Sequence, residues 1–195
     1  LQLNVPSLQF GQGQYADSSV SLRGIGALAV GLSYDGSVGY HLNQVPIPTS
    51  AIGDENFDTA RIEILRGPQG TLFGRGSTGG AVNVVTSQPD FDETYGRAKI
   101  TAGNYNTQKF EGMFNLPIND SLAVRFAGYG LKRDGYIDNL YMPNSHYDNR
   151  DQGAGRLTLA WQNGDTSASL MYQQYNENSH RSRKGDYICT TSPTP

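Results

Sequence analysis

A glycine-dense stretch, residues 61–89, constrains the fold of this chain more than any other part of the sequence. It opens with alternating polar and apolar residues, RIEILR, and closes on the β-branched run AVNVVT, which predicts a strand on each side of a turn-rich middle. Six glycines at positions 67, 70, 74, 76, 79 and 80 allow positive φ, and Pro68 fixes the start of a turn. Ordering so flexible a segment costs conformational entropy, so we expect surrounding structure to enclose it.

Charge and hydropathy exclude several classes of protein. The 195 residues carry a net charge of −3 without a basic stripe, which argues against nucleic-acid binding. No apolar run approaches the roughly 20 residues that a transmembrane helix needs. Strands that cross a membrane alternate in polarity, so a mean hydropathy of −0.52 remains compatible with a membrane protein. The one cysteine, Cys189, has no partner within the sequence, so it is either a lone thiol or a bridge to a residue beyond it.

The part before the glycine-dense stretch has short elements and long loops. Two short strands are predicted within residues 1–22, and the sequence RGIG turns the chain after them. A third strand is predicted over residues 40–45, ended by Pro46 and Pro48. Residues 57–60 favour a helical turn. Short strands without long amphipathic helices indicate a small α+β unit rather than a doubly wound sheet.

After Pro89 the sequence changes to regular alternation. Five segments of about ten residues alternate apolar with polar side chains, which predicts strands over residues 95–102, 109–118, 122–131, 155–161 and 167–175. Residues 119–121 and 163–165 are tight turns, whereas the connection at 134–151 and the tail after 175 are long. Short turns on one side and long loops on the other are typical of outer-membrane barrels. Since such barrels need at least about eight strands, we expect this sequence to be a piece of a longer one.

The runs IEILRGPQGTLFG and STGGAVNVVT closely resemble the C-terminal half of the plug domain in TonB-dependent outer-membrane receptors, and SLRGIG and YHLNQVPI extend the likeness upstream. The resemblance implies an α+β plug domain over residues 1–90, with its N-terminal part missing. Residues 91–195 would then hold the first five or so antiparallel strands of an incomplete transmembrane β-barrel, with extracellular loops. A complete receptor of this plugged kind has about 22 strands.

The same resemblance implies a function at the outer membrane of a Gram-negative bacterium. The expected activity is energised uptake of a scarce ligand such as a ferric siderophore, without enzymatic chemistry. The implied partners are TonB of the TonB-ExbB-ExbD complex, outer-membrane lipid and lipopolysaccharide, and a small-molecule or oligosaccharide substrate, with no nucleic acid. No resident cofactor or metal is expected, since a ferric chelate would be cargo.

The site residues also follow from the resemblance. Locking of the plug to the barrel is assigned to Arg23, Arg66 and Glu63, because a guanidinium fork suits a buried bidentate pair. Substrate contacts are expected from outward-facing loops that carry polar groups and aromatic rings: Ser33, Tyr34, Asp35, Thr49, Ser50, Tyr105, Tyr141, His146, Tyr147, His180, Arg181 and Arg183. Many relatives carry an acidic residue where this chain has Asn43 or Gln44, so no role is transferred to that position.

Two alternatives belong to other classes. A secreted β-rich binding or adhesion module would explain the alternation and the tyrosines but not the sequence RGPQGTLFG. A nucleotide-binding enzyme is suggested by the GxGxxG pattern at residues 74–79, but the strand AVNVVT follows it where a helix N-terminus would have to meet a pyrophosphate. Residues 134–139 carry carboxylates that could bind calcium, but a solvated extracellular loop is the favoured interpretation of this segment.

Overall fold

The computed structural model of the chain describes residues 5, 7–12, 18–26, 36–47, 56–74, 76–138 and 146–180. The first half of these residues forms two small sheets. Strands β1 (Leu8–Gln12), β2 (Ser18–Leu22) and β3 (Ile25–Gly26) make an antiparallel three-stranded sheet. Strands β4 (Val38–Leu42), β5 (Val45–Pro46), β6 (Thr59–Arg66) and β7 (Gly80–Thr86) make a second sheet, in the order β5-β4-β7-β6. We call this second sheet the mixed sheet, because β4 and β7 are parallel and its other pairs antiparallel.

The glycine-dense stretch supplies two of the four strands of the mixed sheet, the edge strand β6 and the central strand β7. Its alternating start forms β6 and its β-branched end forms β7, as predicted, and the two strands pair antiparallel. Between them lies one helical turn, α1 (Gly70–Phe73). Gly80 has a φ of 144°, and a Cβ there would lie 2.5 Å from the carbonyl oxygen of Leu65, so only glycine fits where β7 begins. No helix among the described residues is long and apolar enough to cross a membrane.

Two local predictions differ from the structure. The strand predicted over residues 40–45 is a hairpin, because Asn43 and Gln44 both have positive φ (49° and 69°) and form a two-residue turn between β4 and β5. Pro46 therefore lies inside β5, at the edge of the sheet, where its missing N–H costs no ladder bond. The helical turn predicted at residues 57–60 is absent, since Asp58 has a φ of 47° and β6 starts directly after it.

The core of this first half lies between its two sheets. Seven buried side chains fill it: Leu8, Val20, Leu22, Val38, Tyr40, Val82 and Val84. They come from β1, β2, β4 and β7, so the core joins the three-stranded sheet to the central strands of the mixed sheet. Burial of this apolar surface is what holds two sheets of such short strands together.

The second half of the chain is one antiparallel sheet of long strands, which we call the long sheet. Its strands are β8 (Tyr95–Gly103), β9 (Thr107–Asn119), β10 (Leu122–Arg133), β13 (Arg150–Asn163) and β14 (Thr166–Glu177), and they pair in the order β14-β13-β10-β9-β8. All five predicted strands are present, each one to several residues longer than the alternation indicated. Two short strands, β11 (Ile137–Asp138) and β12 (His146–Tyr147), form a separate ladder in the connection from β10 to β13.

The long sheet has one apolar and one polar face. Its outer face exposes large apolar side chains from all five strands: Ile100, Phe110, Phe114, Leu116, Ile118, Phe126, Leu157, Leu159, Trp161, Leu170 and Tyr172. Its inner face carries the alternate residues, many of them charged or amide side chains, among them Arg97, Lys99, Lys109, Glu111, Asn115, Arg125, Arg156 and Gln173. The alternation predicted from the sequence therefore separates an exposed apolar face from a polar face that meets the mixed sheet.

The long sheet also has two different ends. At the turn end, two tight connections join β9 to β10 and β13 to β14. At the loop end lie the connection after Gly103 and the longer connection between Arg133 and Arg150. The predicted asymmetry of short turns and long loops is thus present in the described part of the chain.

Candidate functional site at the junction of the two sheets

A buried ion pair joins the mixed sheet to the inner face of the long sheet. The Nε and Nη2 atoms of Arg125 donate to Asp58 Oδ2 and Oδ1 at 2.8 and 2.6 Å. The side chains of Arg125 and Asp58 are only 7% and 8% exposed. Two parallel charge-assisted hydrogen bonds fix both the distance and the orientation of the partners. Asp58, directly before β6, is thereby held on the middle strand of the long sheet.

A second arginine of the inner face holds the same segment by its backbone. Arg156 Nη1 donates to the carbonyl oxygens of Phe57 and Asp58 at 3.2 and 3.3 Å, and its Nε donates to Gln173 Oε1 at 2.8 Å. Its guanidinium carbon lies 4.4 Å from the centroid of the Phe57 ring, in cation–π contact. Asp58 is therefore held through its carboxylate by one arginine and through its carbonyl by another.

Aromatic side chains surround this polar contact. Phe57 is buried and packs on Ala127 and Tyr129, with a distance of 5.2 Å between the two ring centroids. On the other side, Arg125 Nη1 donates to the hydroxyl of Tyr95 at 3.0 Å. The ion pair is thus buried beside aromatic rings, and its burial strengthens its electrostatic attraction.

A third attachment holds the segment that leads from β7 into β8. Asn115 is fully buried on the inner face of β9. Its Nδ2 donates to the carbonyl oxygens of Asp90 and Glu93 at 2.9 and 2.7 Å, and its Oδ1 accepts the backbone N–H of Asp90 at 2.9 Å. One side-chain amide thus satisfies three backbone groups of a segment without regular structure.

The hairpin turn of the mixed sheet reaches the inner face as well. Asn43 Oδ1 accepts the backbone N–H of Thr86 at 2.9 Å, and its Nδ2 donates to Thr86 Oγ1 at 2.9 Å. The same Nδ2 lies 3.5 Å from the sulfur of Met171 on β14. Asn43 thus ties the turn to the end of β7 and contacts the long sheet.

The three residues predicted to lock the plug lie elsewhere. Arg23 and Arg66 are exposed, and no ion pair joins either of them to another described residue. Glu63 accepts hydrogen bonds within the mixed sheet, from Asn83 at 2.9 Å and Arg61 at 2.7 Å. These bonds, that from Asn83 first, lower the pKa of the Glu63 carboxyl below its usual range. Since partners beyond residue 195 were expected for the two arginines, their locking role stays a prediction.

The contacts at Asp58 were missed by sequence reasoning. They place the carboxylate on the mixed sheet and the arginines on the long sheet, the reverse of the arrangement expected for Arg23 and Arg66. A usable signal was present, because Arg125 and Arg156 are lone charges in the otherwise small and apolar runs LAVRFAG and GAGRLTL. A charge in such a run needs a partner when it is buried. The partner of Arg125 lies 67 residues earlier in the chain, so only the tertiary structure identifies it.

The structure places two predicted substrate residues at the loop end of the long sheet. Tyr105 lies in the connection after β8, 59% exposed, with its ring centroid 5.9 Å from that of Tyr136. Its carbonyl oxygen accepts the N–H of Asp134, and the carbonyl oxygen of exposed His180 accepts the N–H of Asp148. Tyr105 and His180 therefore flank the same β10–β13 connection.

The remaining residues predicted to contact substrate lie outside the described part of the chain or in the short strand β12. Ser33, Tyr34, Asp35, Thr49, Ser50 and Arg181 lie outside the described residues, as do Tyr141, Arg183 and Cys189. His146 and Tyr147 form β12, where His146 Nε2 lies 3.2 Å from Asp138 Oδ1. Across the described ranges, no group of three His, Cys, Asp or Glu side chains is placed to hold a metal ion.

Comparison with known proteins identifies relatives of both halves. Residues 1–81 match the model of the TonB-dependent Receptor Plug Domain. The chain is 35% identical over 144 residues to the pesticin receptor of Yersinia enterocolitica, a match that covers 73% of this chain and 20% of that protein. It is 33% identical over 109 residues to the ferric enterobactin receptor of Pseudomonas aeruginosa, covering 50% of this chain and 14% of that protein. The chain thus spans about a fifth or less of the length of these curated relatives.

Solved structures show the same fold. The ferric yersiniabactin uptake receptor from Yersinia pestis superposes with a TM-score of 0.72 at 24% identity, covering 88% of this chain and 27% of that one. A copper transporter superposes with a TM-score of 0.68 at 20% identity, covering 90% of this chain and 27% of that one. The plug-like sheets and the long antiparallel strands therefore occur together in known structures.

Proposed function

The chain belongs to the family of TonB-dependent receptors, outer-membrane proteins of Gram-negative bacteria, and we propose that it serves energised uptake of a scarce ligand, foremost a ferric siderophore. Relatives named as receptors for ferric enterobactin and ferrioxamine support a ferric chelate as the cargo. A transporter of this kind makes and breaks no covalent bond, so we assign the chain no enzymatic activity.

One observation carries the proposal: the outer face of the long sheet is apolar and exposed, while its inner face is polar and holds the mixed sheet. Leu170 and Ile100 lie on this outer face, in the strands at the two opposite edges of the sheet, and are 71% and 81% exposed. In water such a face would be costly, whereas hydrocarbon is its natural surrounding. In this proposal the polar face, which binds Asp58 before β6 and, through Asn115, the segment after β7, is a barrel wall around a plug.

The parts of the chain have separate roles in this proposal. Residues 1–90 are the plug, and residues 91–195 are strands and loops of the barrel. The ligand would bind outside, between plug loops that carry Ser33, Tyr34, Asp35, Thr49 and Ser50 and the loop end with Tyr105, His180 and Arg181. An exposed tyrosine and an exposed histidine at the same end of the sheet suit recognition of an aromatic or metal-chelating ligand. Arg23, Arg66 and Glu63 remain proposed locks to parts of the barrel beyond residue 195.

Energy would come from TonB in the TonB-ExbB-ExbD complex, which would pull on the plug and open a path along the inner face. Outer-membrane lipid and lipopolysaccharide would surround the outer face. One relative is named as a pesticin receptor, so a similar protein also receives pesticin.

Uptake of radioactive iron in whole cells tests the proposal. The complete gene is expressed in a strain that lacks its own siderophore receptors, and cells are offered ⁵⁵Fe on a panel of catecholate, hydroxamate and carboxylate siderophores. We expect uptake of at least one chelate, and its loss when tonB is deleted from the same strain. Uptake of none of them, or uptake that is indifferent to tonB, would contradict the proposal.

Two variants at the loop end and one control at the turn end test whether the loop end binds the chelate. Tyr105→Ala and His180→Ala should each weaken binding of the transported chelate, whereas Asp165→Ala in the tight turn at the opposite end should leave it unchanged. All three should reach the outer membrane in equal amounts, as measured by immunoblot of the membrane fraction.

A further inference from the structure

The contact between the two sheets contains more positive than negative charge. Arg125 and Arg156 are both buried on the inner face, with 6% of each residue exposed. One carboxylate, that of Asp58, lies between them and the mixed sheet. The bonds that Arg156 makes to described residues go to neutral oxygens of Phe57, Asp58 and Gln173. Two buried cations therefore share one anion.

The two guanidinium groups belong together because of the strand register. Arg125 of β10 stands opposite Thr158 of β13, and Ala127 stands opposite Arg156. Arg125 and Arg156 are thus diagonal neighbours on one face, which brings long side chains within reach of each other. Both are anchored on the long sheet, Arg125 by the hydroxyl of Tyr95 and Arg156 by the amide of Gln173. Each guanidinium group therefore has one anchor that does not involve the mixed sheet.

Asp58 binds Arg125 through its two carboxylate oxygens alone, and any carboxylate has these two atoms. Arg125 presents Nε and Nη2 side by side to two oxygens of one planar group, at 2.8 and 2.6 Å. Any carboxylate that reaches this position can accept the same two bonds. When residues 57–58 leave, the two cations would remain on a wall with Tyr129 and Tyr95 beside them. Two neighbouring guanidinium groups without a carboxylate attract an anion by their charge, so the wall favours a replacement.

We propose that Arg125 and Arg156 form a binding site for a carboxylate-type anion, occupied in this conformation by the chain's own Asp58. The site opens to an anionic group of a passing solute when residues 57–58 withdraw. The inference rests on the proposed transport for the source of that anion and for the withdrawal of residues 57–58. Anion binding at this site can be tested in purified protein, where no transport takes place.

Chemical rescue tests the site. Asp58→Gly removes the carboxylate, leaves room for a small anion, and suits the positive φ of 47° at this position. The protein is expressed from its complete gene, purified in detergent, and its Tm is measured by the loss of β-sheet circular dichroism. We expect a lower Tm for the variant, which sodium formate restores saturably by half or more. Sodium chloride at equal ionic strength should restore little of it.

Matched variants separate this site from general salt effects. Asp58→Asn keeps the side-chain volume and tolerates the same backbone conformation, but its amide fills the place of the anion, so formate should not rescue it. Formate should also fail with the double variant Asp58→Gly/Arg125→Gln, and should not change the Tm of the unaltered protein. If Asp58→Gly does not accumulate in membranes, the same rescue by formate is measured with Asp58→Ser.

Two results would overturn the inference: chloride that rescues Asp58→Gly as well as formate does, or formate rescue that survives the loss of Arg125. Either would leave uptake of iron chelates untouched as a function. Conversely, a protein that shows formate rescue and takes up no chelate would retain the anion site and lose the proposed cargo. The two proposals therefore fail separately.

Discussion

Asn115 shows how much one buried side chain contributes at the scale of a single residue. It bonds three backbone groups of Asp90 and Glu93, in a segment with no ladder of its own. Asn115→Ala should lower the free energy of unfolding by about 2–4 kcal/mol, since each lost bond costs about 1 kcal/mol and the backbone groups stay buried. Denaturant titration in detergent measures the change. Gln108→Ala, at an exposed position of the same strand, should cost less than about 0.5 kcal/mol.

His41 gives the first half of the chain a pH dependence. Its side chain is 1% exposed, its Nε2 donates to the carbonyl oxygen of Phe73 at 3.3 Å, and its ring packs edge-on against that of Phe73. Burial lowers the pKa of His41 below its usual range. Below about pH 6.5 the unfolded chain takes up a proton that the folded chain refuses, so the free energy of unfolding falls as the pH falls.

The variant His41→Gln isolates this effect. Unfolding is followed by denaturant titration at about pH 7.5 and about pH 5.5, on either side of the ordinary histidine pKa. His41→Gln should be less stable at the higher pH but lose less on acidification than the unaltered protein does. His180→Gln, exposed at the loop end, serves as the control and should keep the full pH dependence. An equal loss in His41→Gln and the unaltered protein would assign the pH effect to other groups.

At the scale of whole strands, depth in the membrane decides what the outer face tolerates. Leu157 lies near the middle of β13, while Ile118 lies beside the turn that ends β9. Leu157→Arg should cost roughly 2–4 kcal/mol of folding free energy in lipid, and Ile118→Arg at most about 1 kcal/mol. Reversible unfolding into and out of lipid vesicles measures both. Equal costs at the two positions would contradict a membrane along this face.

Strands were the elements that the sequence predicted best. The five strands of the long sheet follow from local alternation, because one face must be apolar throughout and the period of a strand is two. The hairpin at Asn43 was not predicted, since a positive φ at two successive non-glycine residues leaves only a weak trace in sequence. The partner of Arg125 could not be predicted at all, because nothing local to the run LAVRFAG points to Asp58. Local physics determines strands, whereas contacts between sheets depend on the whole fold.

At the scale of the molecule, the apolar outer face determines the behaviour of the purified protein. We expect protein expressed from the complete gene to sediment with the outer-membrane fraction and to need detergent for extraction. Analytical ultracentrifugation should detect a belt of bound detergent, because this face cannot remain bare in water. A monodisperse protein in plain buffer would instead favour the secreted β-rich module considered from the sequence.

Trp161 lies at the turn end of the outer face, three residues before Gly164, with 39% of its surface exposed. An indole has an apolar body and one N–H donor, so it settles where hydrocarbon gives way to lipid headgroups. It is the only tryptophan among these 195 residues, so with any tryptophan elsewhere in the complete protein replaced by phenylalanine its fluorescence reports the depth of this end of the wall. Bromine atoms placed high on the acyl chains should quench its emission more strongly than bromine atoms placed at the bilayer centre.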